Sequence, residues 1–103
     1  MEQPGIIIEE YGDENWKTYQ PDASVVLLED YIQIRFTKKA ADAVNIYKRQ
    51  FENESWEFIA TAVNSPFDDH ESEGQWQYCI RGIKNNVEVG LPLLLSVHSN
   101  HSA

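Results

Sequence analysis

A run of acidic and imidazole side chains, Asp68–Glu73, is the densest group of possible metal ligands in the sequence. Its carboxylates could attract Ca²⁺, but the run lacks the ligand spacing and the turn glycine of an EF-hand loop. His98 and His101 could together chelate a metal, yet their place in a polar tail favours a solvated segment. We therefore expect a solvated acidic loop at Asp68–Glu73 and no metal site.

The single cysteine, Cys79, excludes an intramolecular disulfide framework and any multi-cysteine zinc site. It lies in a run where Trp76, Tyr78 and Ile80 alternate with other residues, so Cys79 should face the opposite side of a strand from these three. Nothing nearby in sequence would lower the pKa of its thiol, which favours a buried, unreactive group. No G-x-S-x-G, H-E-x-x-H or phosphate-binding glycine loop occurs. We expect no catalytic residues, no cofactor and no enzymatic activity.

Charge narrows the classes of partner. The chain carries 17 Asp and Glu residues against 8 Lys and Arg, a formal net charge of −9. This balance disfavours nucleic acid, which is bound by neutralising phosphates, and it equally disfavours an anionic membrane surface. Residues 1–30 hold eight acidic residues and one basic residue, a net charge of −7, whereas residues 31–103 hold nine and seven, a net charge of −2. We expect a protein partner that presents a basic groove to the acidic segment.

Alternation of apolar and polar residues at a period of two recurs along the chain and predicts half-buried β-strands. The predicted strands are Tyr31–Thr37, Ala43–Arg49, Trp56–Val63, Gln75–Ile83 and Leu93–Val97. In the third of these, one face should carry Trp56, Phe58, Ala60 and Ala62, and the other Ile59 and Val63. Turn residues separate the runs, and strands recurring about every ten residues are typical of an all-β sandwich or barrel.

The order of these runs matches a known domain family. The matching segments are Ser24–Leu28 and Tyr31–Phe36 as a first hairpin, Ala43–Arg49, Trp56–Ala60, the short Ser65–Asp69, and Trp76–Pro92 with its polar turn, glycine and proline. Over residues 21–99 the sequence resembles a fibronectin type III domain. The resemblance implies an all-β fold, a seven-stranded immunoglobulin-like β-sandwich. It puts Phe36 where the family usually keeps a buried tryptophan, and Trp76 where a tyrosine usually makes a corner hydrogen bond.

Residues 1–20 form an N-terminal extension to this sandwich, and residues 100–103 a polar tail. The extension intersperses apolar and aromatic residues among acidic ones: Ile6, Ile7, Ile8, Tyr11, Trp16 and Tyr19. In one interpretation the three isoleucines add a strand to this chain's own sheet, and the aromatic rings lie over its edge. In the other, the segment is an arm that binds a neighbouring subunit by β-augmentation, with Trp16 and Tyr19 as anchors. We keep both, and the six residues are our candidate partner-binding residues.

We expect no targeting signal and no membrane span in this sequence. No basic region precedes the short apolar run Ile6–Ile8, so we expect no signal peptide. The longest apolar stretch, Leu91–Leu95, is too short to span a bilayer. We expect a protein made in the cytoplasm, with no membrane partner.

Two functions from different classes follow from the resemblance. Domains of this type without an export signal are similar to the small immunoglobulin-like decoration, head-fibre and tail proteins of phage virions. The first hypothesis is therefore a non-enzymatic structural protein of a phage virion. The alternative is a recognition or spacer module related to secreted carbohydrate-active or adhesive bacterial proteins. Such modules display exposed aromatic rings on a sheet face, and Tyr31 and Tyr47, expected outward on adjacent strands, are the candidates.

Overall fold

Seven antiparallel strands form two sheets in the computed structural model, which describes residues 14–71 and 73–99. After one helical turn, α1 (Glu14–Lys17), the strands are β1 (Asp22–Leu27), β2 (Ile32–Thr37), β3 (Ala43–Arg49), β4 (Glu57–Ala62), β5 (Phe67–Asp69), β6 (Gly74–Lys84) and β7 (Val87–Ser99). One sheet has the order β1-β2-β5 and the other β4-β3-β6-β7. The predicted fold class, an all-β seven-stranded sandwich, is confirmed.

Alternating residues of β2, β3 and β6 build the core between the sheets. Its buried members are Ile32, Ile34, Phe36, Val44, Ile46, Tyr78 and Ile80. Phe36 occupies its expected buried position, and Leu93, Leu95 and Val97 of β7 pack on the cluster as their spacing predicts. Because successive side chains of a strand point to opposite faces, this core also determines which residues face outward.

The predicted faces of β4 are wrong because the strand contains a bulge. Ile46 of β3 lies opposite Ala60, but Tyr47 lies opposite Phe58, so Ile59 is an extra residue on β4. A bulge reverses the facing of the residues that follow it. Ile59 and Ala62 consequently pack on the core, while Phe58 stays on the outside with 54% of its surface exposed.

The sandwich has a corner hydrogen bond made by an indole. Trp76 Nε1 donates to the main-chain oxygen of Glu73 at 2.9 Å. An indole nitrogen can only donate, and a carbonyl three residues upstream supplies the acceptor that it needs. Trp76 therefore takes over the hydrogen bond for which the resemblance expected a tyrosine.

A buried ion pair joins the two sheets. Lys48 Nζ of β3 lies 2.8 Å from Asp69 Oδ2 of β5, and both side chains are less than 10% exposed. Lys48 also donates to the main-chain oxygen of Glu71, and its ammonium group lies 4.1 Å from the centre of the Trp76 ring. The three N–H bonds of the ammonium group thus have a carboxylate, a carbonyl and an aromatic face as acceptors.

Both carboxylate oxygens of Asp69 also have hydrogen-bond donors. Its Oδ2 accepts from the Tyr78 hydroxyl at 2.5 Å as well as from Lys48, and its Oδ1 accepts from Glu71 N at 3.1 Å. Asp69 was expected in a solvated acidic loop, and that expectation is wrong for this residue, because Asp69 ends the short strand β5 and points into the sandwich. No helix in the described residues is long and apolar enough to cross a bilayer.

Removing one partner of the buried ion pair should strongly destabilise the fold. We expect Lys48→Met to lower the free energy of unfolding by about 3–5 kcal/mol, because it leaves the Asp69 carboxylate buried without its counter-charge. The matched control is Lys39→Met, which removes an ion pair to Asp22 that is 3.6 Å long and exposed on both sides. That control should cost less than about 1 kcal/mol. Urea unfolding measures both, and equal losses would show that Asp69 does not depend on Lys48.

Candidate binding face

The outward residues of the four-stranded sheet form a surface that combines a cleft, a hydrogen-bonded polar group and several aromatic rings. We call it the outer face, and its members are Asn45, Tyr47, Trp56, Phe58, Cys79, Arg81, Glu88 and Leu94. Strand pairing brings them together, since Tyr47 of β3 lies opposite both Phe58 of β4 and Cys79 of β6, and Cys79 lies opposite Leu94 of β7. Residues from four strands therefore share one surface.

Glu88 is the polar centre of the outer face. Its Oε2 accepts from Asn45 Nδ2 at 2.7 Å and from the Tyr47 hydroxyl, and its Oε1 lies 3.8 Å from Arg81 Nη1. The Thr61 hydroxyl donates to Asn45 Oδ1 at 2.6 Å, which orients the amide. The hydrogen bond to Glu88 raises the pKa of Tyr47, with partial burial as the second cause. These groups hold one another in place and neutralise one another's charge.

A small cleft opens beside this centre. It is lined by Tyr47, Trp56, Cys79, Arg81 and Glu88 and has a volume of about 140 Å³. Arg81 Nη2 donates to the main-chain oxygen of Gly90 at 3.1 Å, whereas the buried Nε of Arg81 has no hydrogen-bond partner among the described residues. The cleft thus has aromatic walls, and the arginine that lines it has one buried donor without a partner among the described residues.

Apolar and aromatic groups surround the cleft. Phe58 meets Tyr47 edge-on at a centroid distance of 5.7 Å, and Leu94 is 61% exposed. The guanidinium of Arg49 lies 4.0 Å from the centre of the Trp56 ring, and Arg49 Nε donates to Gln77 Oε1 at 2.7 Å. Arg49 is thus held by Gln77 and packs on the ring of Trp56, which lines the cleft.

Cys79 lies at the floor of the cleft as a buried thiol. Burial is the main cause that raises its pKa, and the charge of Glu88 adds to it, while Arg81 and Arg49 act in the opposite direction. A raised pKa keeps the sulfur protonated and weakly nucleophilic at neutral pH. The prediction that Cys79 is buried is confirmed, and the raised pKa is consistent with the unreactive thiol that we expect.

The two tyrosines expected side by side are not neighbours, and that prediction is wrong. Tyr31 precedes β2 in the three-stranded sheet, where its ring contacts His70 at a centroid distance of 4.7 Å. Tyr47 belongs to β3 in the other sheet. Consecutive strands change sheets between β2 and β3, and sequence spacing alone does not reveal such a crossing.

Within the described residues no group of three acidic, histidine or cysteine side chains could hold a metal ion.

Of the six candidate partner-binding residues, Tyr19 contacts this chain's own sandwich, and Trp16 packs on Tyr19. The Tyr19 hydroxyl donates to Lys38 O at 2.7 Å, and Leu91 N donates to Tyr19 O at 2.7 Å. The neighbouring Gln20 side chain donates to Pro92 O at 2.8 Å. Trp16 packs on Tyr19 at a centroid distance of 5.2 Å. Ile6, Ile7, Ile8 and Tyr11 lie outside the described residues, and the binding of a partner by all six stays a prediction.

Two glycines make room for Tyr19, and we call this place the glycine notch. A Cβ on Gly82 of β6 would overlap the Tyr19 ring, and a Cβ on Gly90 of β7 would overlap the Tyr19 main chain. Gly90 also has φ +75°, which suits glycine, and it lies in a stretch of β7 that bulges opposite Arg81. Burial raises the pKa of Tyr19, and the nearby charge of Asp22 adds to that effect. A glycine inside a strand signals close approach of another segment, a cue that could have located the notch from sequence.

Comparisons with known proteins support the fold. No family model matches the chain, and no curated protein matches it. A solved fibronectin type III-like protein from Clostridium thermocellum superposes with a TM-score of 0.63 at 17% identity, covering 77% of this chain and 92% of that one.

Two structures of the pectate lyase PelI from Erwinia chrysanthemi superpose with TM-scores of 0.60 and 0.56 at 14% identity. Each match covers 74% of this chain and 27% of the lyase, and the second structure is a complex with tetragalacturonic acid. The chain therefore has a fibronectin type III-like fold, and its match to the lyase is confined to about a quarter of that enzyme's length.

The glycine notch predicts that Gly82→Ala destabilises the protein when Tyr19 is present and stabilises it when Tyr19 is replaced by alanine. Gly82→Ala should lower the free energy of unfolding by about 1–3 kcal/mol, because its methyl group collides with the Tyr19 ring. In a Tyr19→Ala background the same change should raise it by about 0.5–1 kcal/mol, because alanine is better than glycine in a strand that has room for it. Urea unfolding of the four proteins gives both values. An equal loss in both backgrounds would show that Tyr19 does not occupy the notch.

Stability should fall at alkaline pH because of Tyr78. Burial, followed by the hydrogen bond to Asp69 and its charge, raises the Tyr78 pKa well above the ordinary value of 10.0. Above that ordinary value the unfolded chain loses the proton while the folded chain keeps it, so the free energy of unfolding drops by up to about 1.4 kcal/mol per pH unit. Urea unfolding at neutral and at alkaline pH should show a smaller drop for Tyr78→Phe than for the wild type. A Tyr31→Phe control should behave as the wild type, and identical drops in all three would contradict the assignment.

Proposed function

We propose that this chain is a non-catalytic recognition module that binds a partner protein through the outer face of its four-stranded sheet. The cleft in that face carries the proposal. At about 140 Å³ it is smaller than the roughly 300–1,000 Å³ of small-molecule pockets, so it suits a single protruding side chain. Tyrosine, tryptophan and arginine line it, and these three residue types dominate the binding energy of protein interfaces.

The chemistry of the outer face argues against catalysis. The carboxylate of Glu88 is held by Asn45, Tyr47 and Arg81, and the one hydroxyl group hydrogen-bonded to it, that of Tyr47, has a raised pKa. The thiol of Cys79 has a raised pKa and sits under the cleft. An activated nucleophile needs a lowered pKa or a base that readily takes its proton, whereas the hydrogen bond to Glu88 favours the protonated form of Tyr47. Binding, rather than bond breaking, is what these groups can perform.

Exposed apolar groups favour a protein over a glycan as the partner. Phe58 and Leu94 flank the cleft with 54% and 61% of their surfaces exposed, and interface cores are enriched in such groups. The pectate lyase neighbour was solved with tetragalacturonic acid, but an anionic polymer of that kind would be repelled by a chain of net charge −9. A neutral glycan is the remaining form of the carbohydrate alternative.

The virion hypothesis is a finer form of the same proposal. The structural neighbours described above include no phage protein, so they do not support a role in a virion, and that role stays a prediction. The basic groove expected for the acidic N-terminal segment is likewise a prediction. Neither is needed for the outer face to bind a partner.

The outer face can be tested with two matched serine substitutions. Immobilised full-length protein is exposed to a lysate of the source cells, retained proteins are identified, and their affinities are measured with purified components. We expect Phe58→Ser to weaken binding of the retained partner by about 30-fold, the loss of one hot-spot side chain. Phe51→Ser is the control, because Phe51 is 51% exposed but lies in the turn between β3 and β4.

Two results would overturn the proposal. One is equal binding by the Phe58→Ser and Phe51→Ser proteins, which would place the partner elsewhere on the chain. The other is selective retention of a neutral glycan on an array, abolished by Phe58→Ser, which would assign the outer face to carbohydrate.

A further inference from the structure

We propose that β7 pairs edge to edge with β7 of a second copy of this chain, joining two four-stranded sheets into one eight-stranded antiparallel sheet. Among the described residues β7 is the outermost strand of its sheet, and β6 lies on one side of it only. The one main-chain hydrogen bond from β7 to a described residue outside β6 is that of Leu91 to Tyr19. From Leu93 onward, the outward main-chain groups are a template for another strand.

The residues of β7 distinguish it from the other three edge strands. Folded proteins protect an edge with charged side chains, proline or short length. β1 and β4 are six residues long and each begins with an acidic residue, and β5 has three residues, two of them aspartates. β7 has thirteen residues, and its single proline, Pro92, comes before the stretch in question. Leu93–Ser99 contains no Asp, Glu, Lys or Arg, no proline and no glycine.

Charge favours a second copy of this chain as the occupant. Each molecule carries a net charge of −9, so two copies repel each other over most of their surfaces. No Asp, Glu, Lys or Arg occurs after Glu88, which makes the end of β7 the place where two copies can approach at the smallest electrostatic cost. Leu91 and Leu94 add exposed apolar surface there, at 48% and 61% exposure.

Strand geometry makes this pairing self-complementary. A two-fold axis at Ser96 puts Leu95 opposite Val97 of the partner subunit, and both side chains belong to the core-facing set. Residues of equal facing then meet across the whole seam, so the core-facing side chains of the two copies form one continuous row. On the outer side, Leu94 meets the partner's His98.

Sedimentation equilibrium tests the proposal on the full chain. We expect a mass twice the 11.9 kDa of one chain. Added salt should tighten the dimer, because it screens the repulsion between two acidic molecules. An acidic arm bound in a basic groove would show the opposite salt dependence.

Substitutions at the two-fold axis make the test specific. Ser96→Lys brings two ammonium groups together and should weaken the dimer about tenfold or more, although it lowers the net negative charge. Ser96→Glu should do the same, and an equimolar mixture of the two variants should restore the dimer. The control Val63→Lys adds the same charge on an exposed residue after β4 and should leave the dimer intact. Near-UV circular dichroism establishes that each variant is folded.

Three outcomes would overturn the proposal. The first is a wild-type protein that stays monomeric up to about 1 mM. If the β7 amides of that monomer are protected from hydrogen exchange, residues 1–13 of the same chain become the occupant of the edge. The second is a Ser96→Lys protein as dimeric as the wild type. The third is a dimer broken by Phe58→Ser but not by Ser96→Lys, which would move the contact to the outer face. Because Phe58 and Ser96 are tested separately, this proposal and the partner-binding proposal can fail independently.

Discussion

The buried contact between Lys48 and Asp69 constrains the whole sandwich. It connects β3 of one sheet with β5 of the other and requires Lys48 to point inward. Because side chains alternate along a strand, Tyr47 and Arg49 must then point outward. A slip of one residue would bury Tyr47 in place of the ammonium group and leave the Asp69 carboxylate unpaired. The outward direction of Tyr47 and Arg49 thus depends on an interaction on the other side of the same strand.

Local patterns predict the strands well and the contacts between distant strands poorly. The alternation of Ile32, Ile34 and Phe36 is visible within six residues, and it identified the core of β2 correctly. The pairing of Lys48 with Asp69 spans 21 residues, and Asp69 stands in an acidic run that looks solvated. The bulge at Ile59 depends on how β4 pairs with β3, which has no signature in the strand's own sequence.

The candidate binding face likewise combines features that the sequence predicts with contacts that it does not predict. Tyr47 was expected outward, because the period of its strand defines its direction. Glu88 and Arg81 become its neighbours only through the order of β3, β6 and β7 in the sheet. Tyr19 was singled out as an aromatic anchor, but its acceptor, Lys38 O, and the two glycines beside it are remote in sequence. The fibronectin type III-like fold supplies the strand order, while function depends on residues that vary between proteins of that fold.

The glycine notch links the docking of Tyr19 to the earlier pairing of β6 with β7 during folding. Tyr19 is synthesised more than sixty residues before Gly82, yet it can dock only after β6 and β7 have paired and bulged around Gly90. Before that pairing, the notch that receives the Tyr19 ring does not exist. Contacts between segments distant in sequence generally form more slowly than local ones. Docking of Tyr19 in the glycine notch therefore requires that β6 and β7 have already paired.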